Sequence, residues 1–195
     1  MGKIAILAAA AAATLVPAAA GAQAVPGAVV AIVDLDRVST QCTACKSAQA
    51  SLQSQVNALR TRQQALATPL EAEGKSIQAA VDALPQGKEP DAALQARIRA
   101  FQTRQQQGGQ ELQSRQTQIQ RNQAYVSQQI SSKLGPIYQS VMQRRGANIL
   151  VAQDTVLAST TGVDVTNDVL AALNAALPSV STTAPAATQQ QPQGR

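Results

Sequence analysis

The sequence predicts an α+β chain in which a long antiparallel helical-hairpin arm, coiled-coil in pattern, stands on a small β body. Three observations predict it. Between Lys46 and Gly146 two mostly polar stretches repeat apolar residues in alternating steps of four and three, the spacing of a helix-pairing seam. One break, Pro85-Gln86-Gly87-Lys88-Glu89-Pro90, separates the stretches and reads as a turn. Short β-branched runs flank the pair on both sides.

The first element is a leader. Lys3, the apolar run Ile4 to Val16 and the small residues Ala20-Gly21-Ala22 give residues 1–22 the layout of a secretory signal peptide. A membrane span is the rival reading, but the run is short, Ala-rich and interrupted by Pro17, whereas a span needs about 20 apolar residues. Export is therefore expected. Residues 23–45 form the first part of the body, with Ala28 to Val33 as a strand. Asp36, Ser39 and Thr40 are candidate N-caps of the helix that follows.

The arm is expected over 46–146, with its tip at 85–90. In the first helix Leu52, Val56, Leu59, Gln63, Leu66, Leu70, Glu73, Ile77, Ala80 and Leu84 make the seam, which spans about 50 Å at about 1.5 Å per residue. Pro90 and Asp91 suit the first turn of the second helix. Its seam runs through Leu94, Ile98, Phe101, Gln105, Gly108, Leu112 and Ile119, then slips in register from Val126 to Val141. Pro69 and Gly74 lie at a similar depth to Gly108 and Gly109. An interior Pro costs a helix about 3 kcal/mol and a Gly about 1, so these four residues are candidate hinge positions, with sequence drift on an exposed arm as the equal alternative.

Past Gly146, residues 147–177 are read as the second part of the body. Asn148 to Ala152 and Thr155 to Ser159 read as two strands in a tight hairpin around Gln153-Asp154. Thr166 is the expected cap of a helix over 167–177, with Leu170, Leu173 and Leu177 on one face and Pro178 ending it. Residues 178–195, rich in Ser, Thr, Ala, Pro and Gln, read as a disordered tail.

Composition narrows the function. The chain has no His, two Cys and no Trp, so the side chains that build most metal centres and proton-transfer sites are nearly absent, and neither an enzyme nor a cofactor is expected. Aromatic content is 2%, which leaves few large side chains for a core and points to burial between subunits of a homo-oligomer. Charge is uneven. The arm holds thirteen basic residues against six acids, while the rest of the mature chain holds two against five. A basic arm is expected to meet acidic or anionic surfaces, lipid included. Lys75, Lys88, Arg97, Arg99 and Arg104 are the candidate electrostatic contacts with a polypeptide or lipid. Export and the lack of aromatic stacking residues speak against nucleic acid.

Cys42-Thr43-Ala44-Cys45 is the one motif with thiol chemistry. Two thiols at a helix start could close a local disulfide, remain reduced, or pair between subunits. A local disulfide stapling the arm to its base suits an exported chain, and the absence of a second ligand pair and of a βαβ context argues against zinc or a thiol oxidoreductase.

The order of parts resembles the Skp, or OmpH-like, family of periplasmic outer-membrane-protein chaperones. Ala31-Ile32-Val33-Asp34, the 46–146 hairpin, Ile149-Leu150-Val151-Ala152 and the stretch Asp164 to Leu173 carry the resemblance, over roughly 28–177. It implies a trimer with a β body and three arms around a cavity. It also implies an ATP-independent holdase for unfolded outer-membrane proteins. The alternative is a structural coiled-coil adaptor of an envelope complex, for which this chain has little β sequence.

Overall fold

The computed structural model describes residues 26–186; the signal-peptide reading of 1–22 and the last part of the tail lie outside them. Strand β1, Val30–Val33, is a β-branched run whose last three residues are buried. Asp34 ends it and caps helix α1, Leu35–Gln41, by accepting a 2.8 Å hydrogen bond from the Arg37 amide. The expected caps are thereby corrected: the Ser39 and Thr40 hydroxyls donate to the Asp36 carbonyl within the helix instead. Asp34 is the first residue past the strand with a free carboxylate, so it reaches the exposed amides first.

Cys42 adopts extended backbone and separates α1 from helix α2, Thr43–Asp82. After a turn at residues 83–91, helix α3 runs from Ala92 to Arg145, capped by the Asp91 carboxylate on the Leu94 amide. Gly146 closes it in the left-handed conformation, at φ 64°, where a residue with a Cβ is disfavoured. The helices are about 60 and 81 Å long, and both continue through an interior proline, Pro69 and Pro136. The seam is half-covered along most of its length. Of its expected members only Ile77, Gly108, Ile119 and, at the register slip, Val126, Ile137 and Val141 are buried, while Gln63 and Gln105 face solvent.

Strand β2, Ile149–Ala152, pairs parallel with β1 in the register Val30↔Ile149 to Val33↔Ala152. This overturns the expected 148–159 hairpin. Residues 153–155 close a single 3₁₀ turn in which Thr155 Oγ1 donates to the Ala152 carbonyl, and Leu157 beyond it is fully exposed. A β-branched composition alone could not say which partner β2 would find, and the arm brings it back beside β1 as a crossover. The other edge of β1 is met by Asp164, which bridges Ile32, and by the Val165 amide, which donates to the Ile32 carbonyl.

Helix α4, Thr166–Ala176, carries Val169, Leu173 and, just past its end, Leu177 into the core; Leu170 is only half-buried. Thr166 is the first helical residue and not the cap. Its amide donates to Asp164 Oδ1 and its hydroxyl accepts from the Asp34 amide, tying α4 to the end of β1. Hydrogen bonding from the Thr166 side chain, and then from its amide, holds the Asp164 carboxyl below the usual carboxylate range. The core gathers Ala31, Val33 and Val38 with Val141, Val165 and Leu173. It is small, and Val29, Val30, Leu35 and Ile149 remain exposed around it.

The tail reading also needs correction for residues 178–186. Val180 packs on the core, and the next residues lie along the root of the hairpin, fixed by side-chain amides.

Candidate functional site

The hairpin dominates the chain, and its charges and gaps form the candidate site. At mid-arm Glu111 accepts from Arg62 through both oxygens, at 2.9 and 2.8 Å, and from Arg115 at 2.9 Å. Hydrogen bonds from Arg62, then from Arg115, lower the Glu111 carboxyl to about 2, and the same bond raises Arg62. Arg104 pairs with Glu73 across the helices, and Lys75 with Glu71 one turn away on α2.

Three of the five candidate contact cations are therefore already engaged. Arg104 and Lys75 are ion-paired and Arg97 donates to Ser76 Oγ, whereas Lys88 and Arg99 make no ion pair among the described residues. Between residues 75 and 104 these five bases face Asp82, Glu89 and Asp91. The remaining eight arm bases face three acids, so more of the positive surplus lies along the middle and root than near the tip. Sequence reasoning chose bases near the tip because it could not see which acids would reach across the seam.

The four candidate hinge residues are spread over one mid-arm stretch, with Gly108 facing Leu66 and Gly74 facing Phe101 about 12 Å nearer the tip. An added Cβ on Gly74 would stand 3.2 Å from Phe101 Cζ, so this glycine makes room for the ring. One on Gly108 would meet Leu66 at 3.6 Å, an ordinary contact, and one on Gly109 would meet nothing within 4 Å. A cleft of about 230 Å³ opens beside Pro69 and Gly108, lined also by Leu66 and Leu70 and flanked by the Arg62 and Arg104 ion pairs. Pro69 denies the Ala65 carbonyl its helical partner at this depth. A wider, apolar-lined cleft of about 620 Å³ lies under the tip, between Leu84, Pro85 and Leu94.

At the root, Cys42 and Cys45 are disulfide-bonded. Both lie in the core, and Cys42 Sγ accepts from the Cys45 amide as the N-cap of α2. Enclosed sulfurs of this kind pin the bend between α1 and α2 and are closed to a bulky disulfide substrate. Among the described residues no group of His, Cys, Asp and Glu could hold a metal ion. No helix among them is long and apolar enough to cross a membrane.

Sequence reasoning missed the buried Asn122. Its Nδ2 donates to Gln55 Oε1 on the opposite helix at 2.7 Å, and its Oδ1 accepts from Gln118 and from the Ala184 amide. A polar residue one turn past Ile119 was the available signal, because a buried amide in a helical seam must find partners.

The family model for OmpH, outer membrane protein (OmpH-like), matches residues 29–173. No protein of curated function matches the chain. Among solved structures, the crystal structure of a "putative outer membrane chaperone (OmpH-like)" from Caulobacter crescentus CB15 is similar, at TM-score 0.69 and 20% identity. The match covers 86% of this chain and 96% of that one, and at this identity it speaks for the fold.

Proposed function

The chain belongs to the OmpH-like family of outer membrane proteins, and from that premise we propose that it is an ATP-independent periplasmic holdase chaperone. It binds unfolded outer-membrane proteins between helical arms and keeps them from aggregating. The observation that carries this reading is the half-covered seam of a hairpin some 60 Å long. An arm whose apolar residues are only partly buried in its own pairing can lend them to a client through many weak contacts, and its positive surplus attracts acidic segments.

The active unit in this reading is a homotrimer whose three arms surround a cavity. Support comes from the body, where Val29, Val30, Leu35 and Ile149 are exposed and one edge of β2 is unpaired among the described residues. A cleft of about 440 Å³ beside Val33, Tyr138, Met142 and Leu150 leaves further apolar surface to water. The mid-arm stretch holding Pro69, Gly74, Gly108 and Gly109 is the hinge on which each arm bends, and Lys88 and Arg99, the two candidate cations whose side chains have neither an ion pair nor a hydrogen bond among the described residues, serve acidic clients or anionic lipid.

Light scattering tests the reading. A denatured outer-membrane β-barrel protein diluted into buffer should aggregate less as this protein is added, without nucleotide and less effectively at high salt. Unchanged scattering at stoichiometric excess sinks it. Mass in solution should be that of a trimer, and of a trimer with one client when the denatured protein is present.

A further inference from the structure

At the root of the hairpin three side-chain amides, Gln55, Asn122 and Gln129, each bond the backbone of a single irregular segment. Gln129 pairs with Ser181 in both directions: its Nε2 donates to the Ser181 carbonyl at 2.9 Å and its Oε1 accepts from the Ser181 amide at 3.0 Å. Gln55 Nε2 donates to the Thr182 carbonyl at 3.1 Å, and Asn122 Oδ1 accepts from the Ala184 amide at 2.9 Å. Val180, Thr182 and Ala184 are half-buried while Ser181, Thr183 and Pro185 are exposed, and the chain bends at Thr182-Thr183, where Ser181 Oγ accepts from the Thr183 amide and donates to the Thr183 carbonyl. From the segment's own side chains only a hydroxyl pair between Ser51 and Thr182 at 2.8 Å and the packing of Val180 reach the rest of the chain.

Four backbone groups are thus read by three amides drawn from both helices. The Gln129 pair has the pattern of a β-ladder step made by a side chain. Asn122, at 4% exposure with the segment in place, is also held by Gln55 and Gln118, which bond it independently of the segment. Contacts of this kind do not depend on which residues the segment carries, because every non-proline residue offers the same amide and carbonyl.

We infer that Gln55, Asn122 and Gln129 form a binding site for the backbone of an irregular polypeptide segment, which residues 180–184 of the same chain occupy as a tethered placeholder. The ligand class is an unfolded chain segment with free backbone amides, and the C-terminal segment covers the site until a competing segment displaces it. The identity of the competitor rests on the holdase reading; the site itself does not.

The test uses a chain ending at Pro178 and a labelled synthetic peptide of residues 179–195. By fluorescence anisotropy the peptide should bind the shortened chain and bind the full chain at least tenfold more weakly. Gln129→Ala in the shortened chain should weaken binding at least tenfold. A peptide with residues 180–184 shuffled should bind within about threefold of the original, and one N-methylated at Ser181 should lose at least tenfold. Absence of binding by a shortened chain of unchanged circular dichroism overturns the inference, and so does a shuffled peptide that fails to bind. A shortened chain that takes up no peptide yet still prevents aggregation overturns the site while leaving the holdase reading intact.

Should the shortened chain not fold, amide exchange in the full chain decides the matter. Gln129→Ala should speed exchange at Ser181, and Asn122→Ala at Ala184, each at least tenfold over the α4 amides; equal rates overturn the inference.

Discussion

Replacing Gly108 and Gly109 by alanine separates a functional hinge from tolerated drift. Both glycines sit inside α3, and neither site resists a Cβ: the nearest atom is Leu66 Cδ1 at 3.6 Å for Gly108, and nothing lies within 4 Å of Gly109. Each exchange should gain the difference in helix propensity, about 1 kcal/mol, which comes chiefly from the reduced freedom of the unfolded chain. The pair together should stabilise the arm by about 2 kcal/mol, since no strain is introduced to offset the gain. Local opening of α3 around residue 108 should then slow about 30-fold, because 1.4 kcal/mol is a factor of ten. Hydrogen exchange resolved along α3 measures this, with α4 as the internal reference. Gly74→Ala supplies the contrast. Its Cβ presses to 3.2 Å from the Phe101 ring, so the gain should be smaller or reversed. If the glycines form a hinge, the doubly substituted protein is stiffer and protects a denatured client less well. Slowed exchange with full protection would reject the hinge, and unchanged exchange would reject the propensity argument itself.

Other tests address the charges, caps and sulfurs. Glu111 has its folded carboxyl lowered to about 2 from 4.5, so its contribution to arm stability is complete above pH 4.5 and fades as the pH falls towards 2. Glu111→Gln should flatten that acid limb of an arm-exchange profile; a limb that persists at full amplitude would count against the Arg62–Glu111–Arg115 cluster as its source. Asp34→Ala removes the cap of α1 and should cost about 1 kcal/mol in urea unfolding, whereas Ser39→Ala, away from the cap, should change little. Serine at both Cys42 and Cys45 should lower thermal stability yet leave client protection in place at 25 °C, and complete loss of protection by a folded variant would give the cysteines a role beyond structure.

The arm was legible because the heptad spacing of Leu52 to Leu84 and Leu94 to Ile119 is a property of sequence separation, and helix pairing is read from separations. The Pro85–Pro90 break marked the turn for the same local reason. Strand pairing was not legible. Ile149 to Ala152 looked like half of a hairpin with 155–159, but its partner β1 lies across the whole arm, and pairing over that distance leaves no local trace. The polar row of Gln55, Asn122 and Gln129 was hidden by composition, since this chain is rich in glutamine and nothing in the sequence marks which amides will be spent on the tail. Tail residues read as disordered because their own side chains hold little information; their order is supplied by partners elsewhere. Charge was legible as a sum and not as a map, because Glu73 and Glu111 silence bases on the opposite helix.

The parallel pairing of β1 with β2 also sets an order of events during folding. Val29 and Asn148, which bond at the mouth of the sheet, are 119 residues apart. Closing a flexible loop of that length costs about 4 kcal/mol of chain entropy, which four-residue strands return poorly. The hairpin contains only contacts that grow outward from the 83–91 turn, and it forms first on contact-order grounds. Once zipped, it carries the end of α3 back to the body, where Asn148 meets Val29, and makes the sheet almost a local structure. In a chain synthesised from its N-terminus, β1 emerges early and stays unpaired until Ile149 to Ala152 have followed. Assembly of the body is therefore timed by completion of the arm, and a lesion that slows zipping near the turn should delay the sheet at the far end of the molecule.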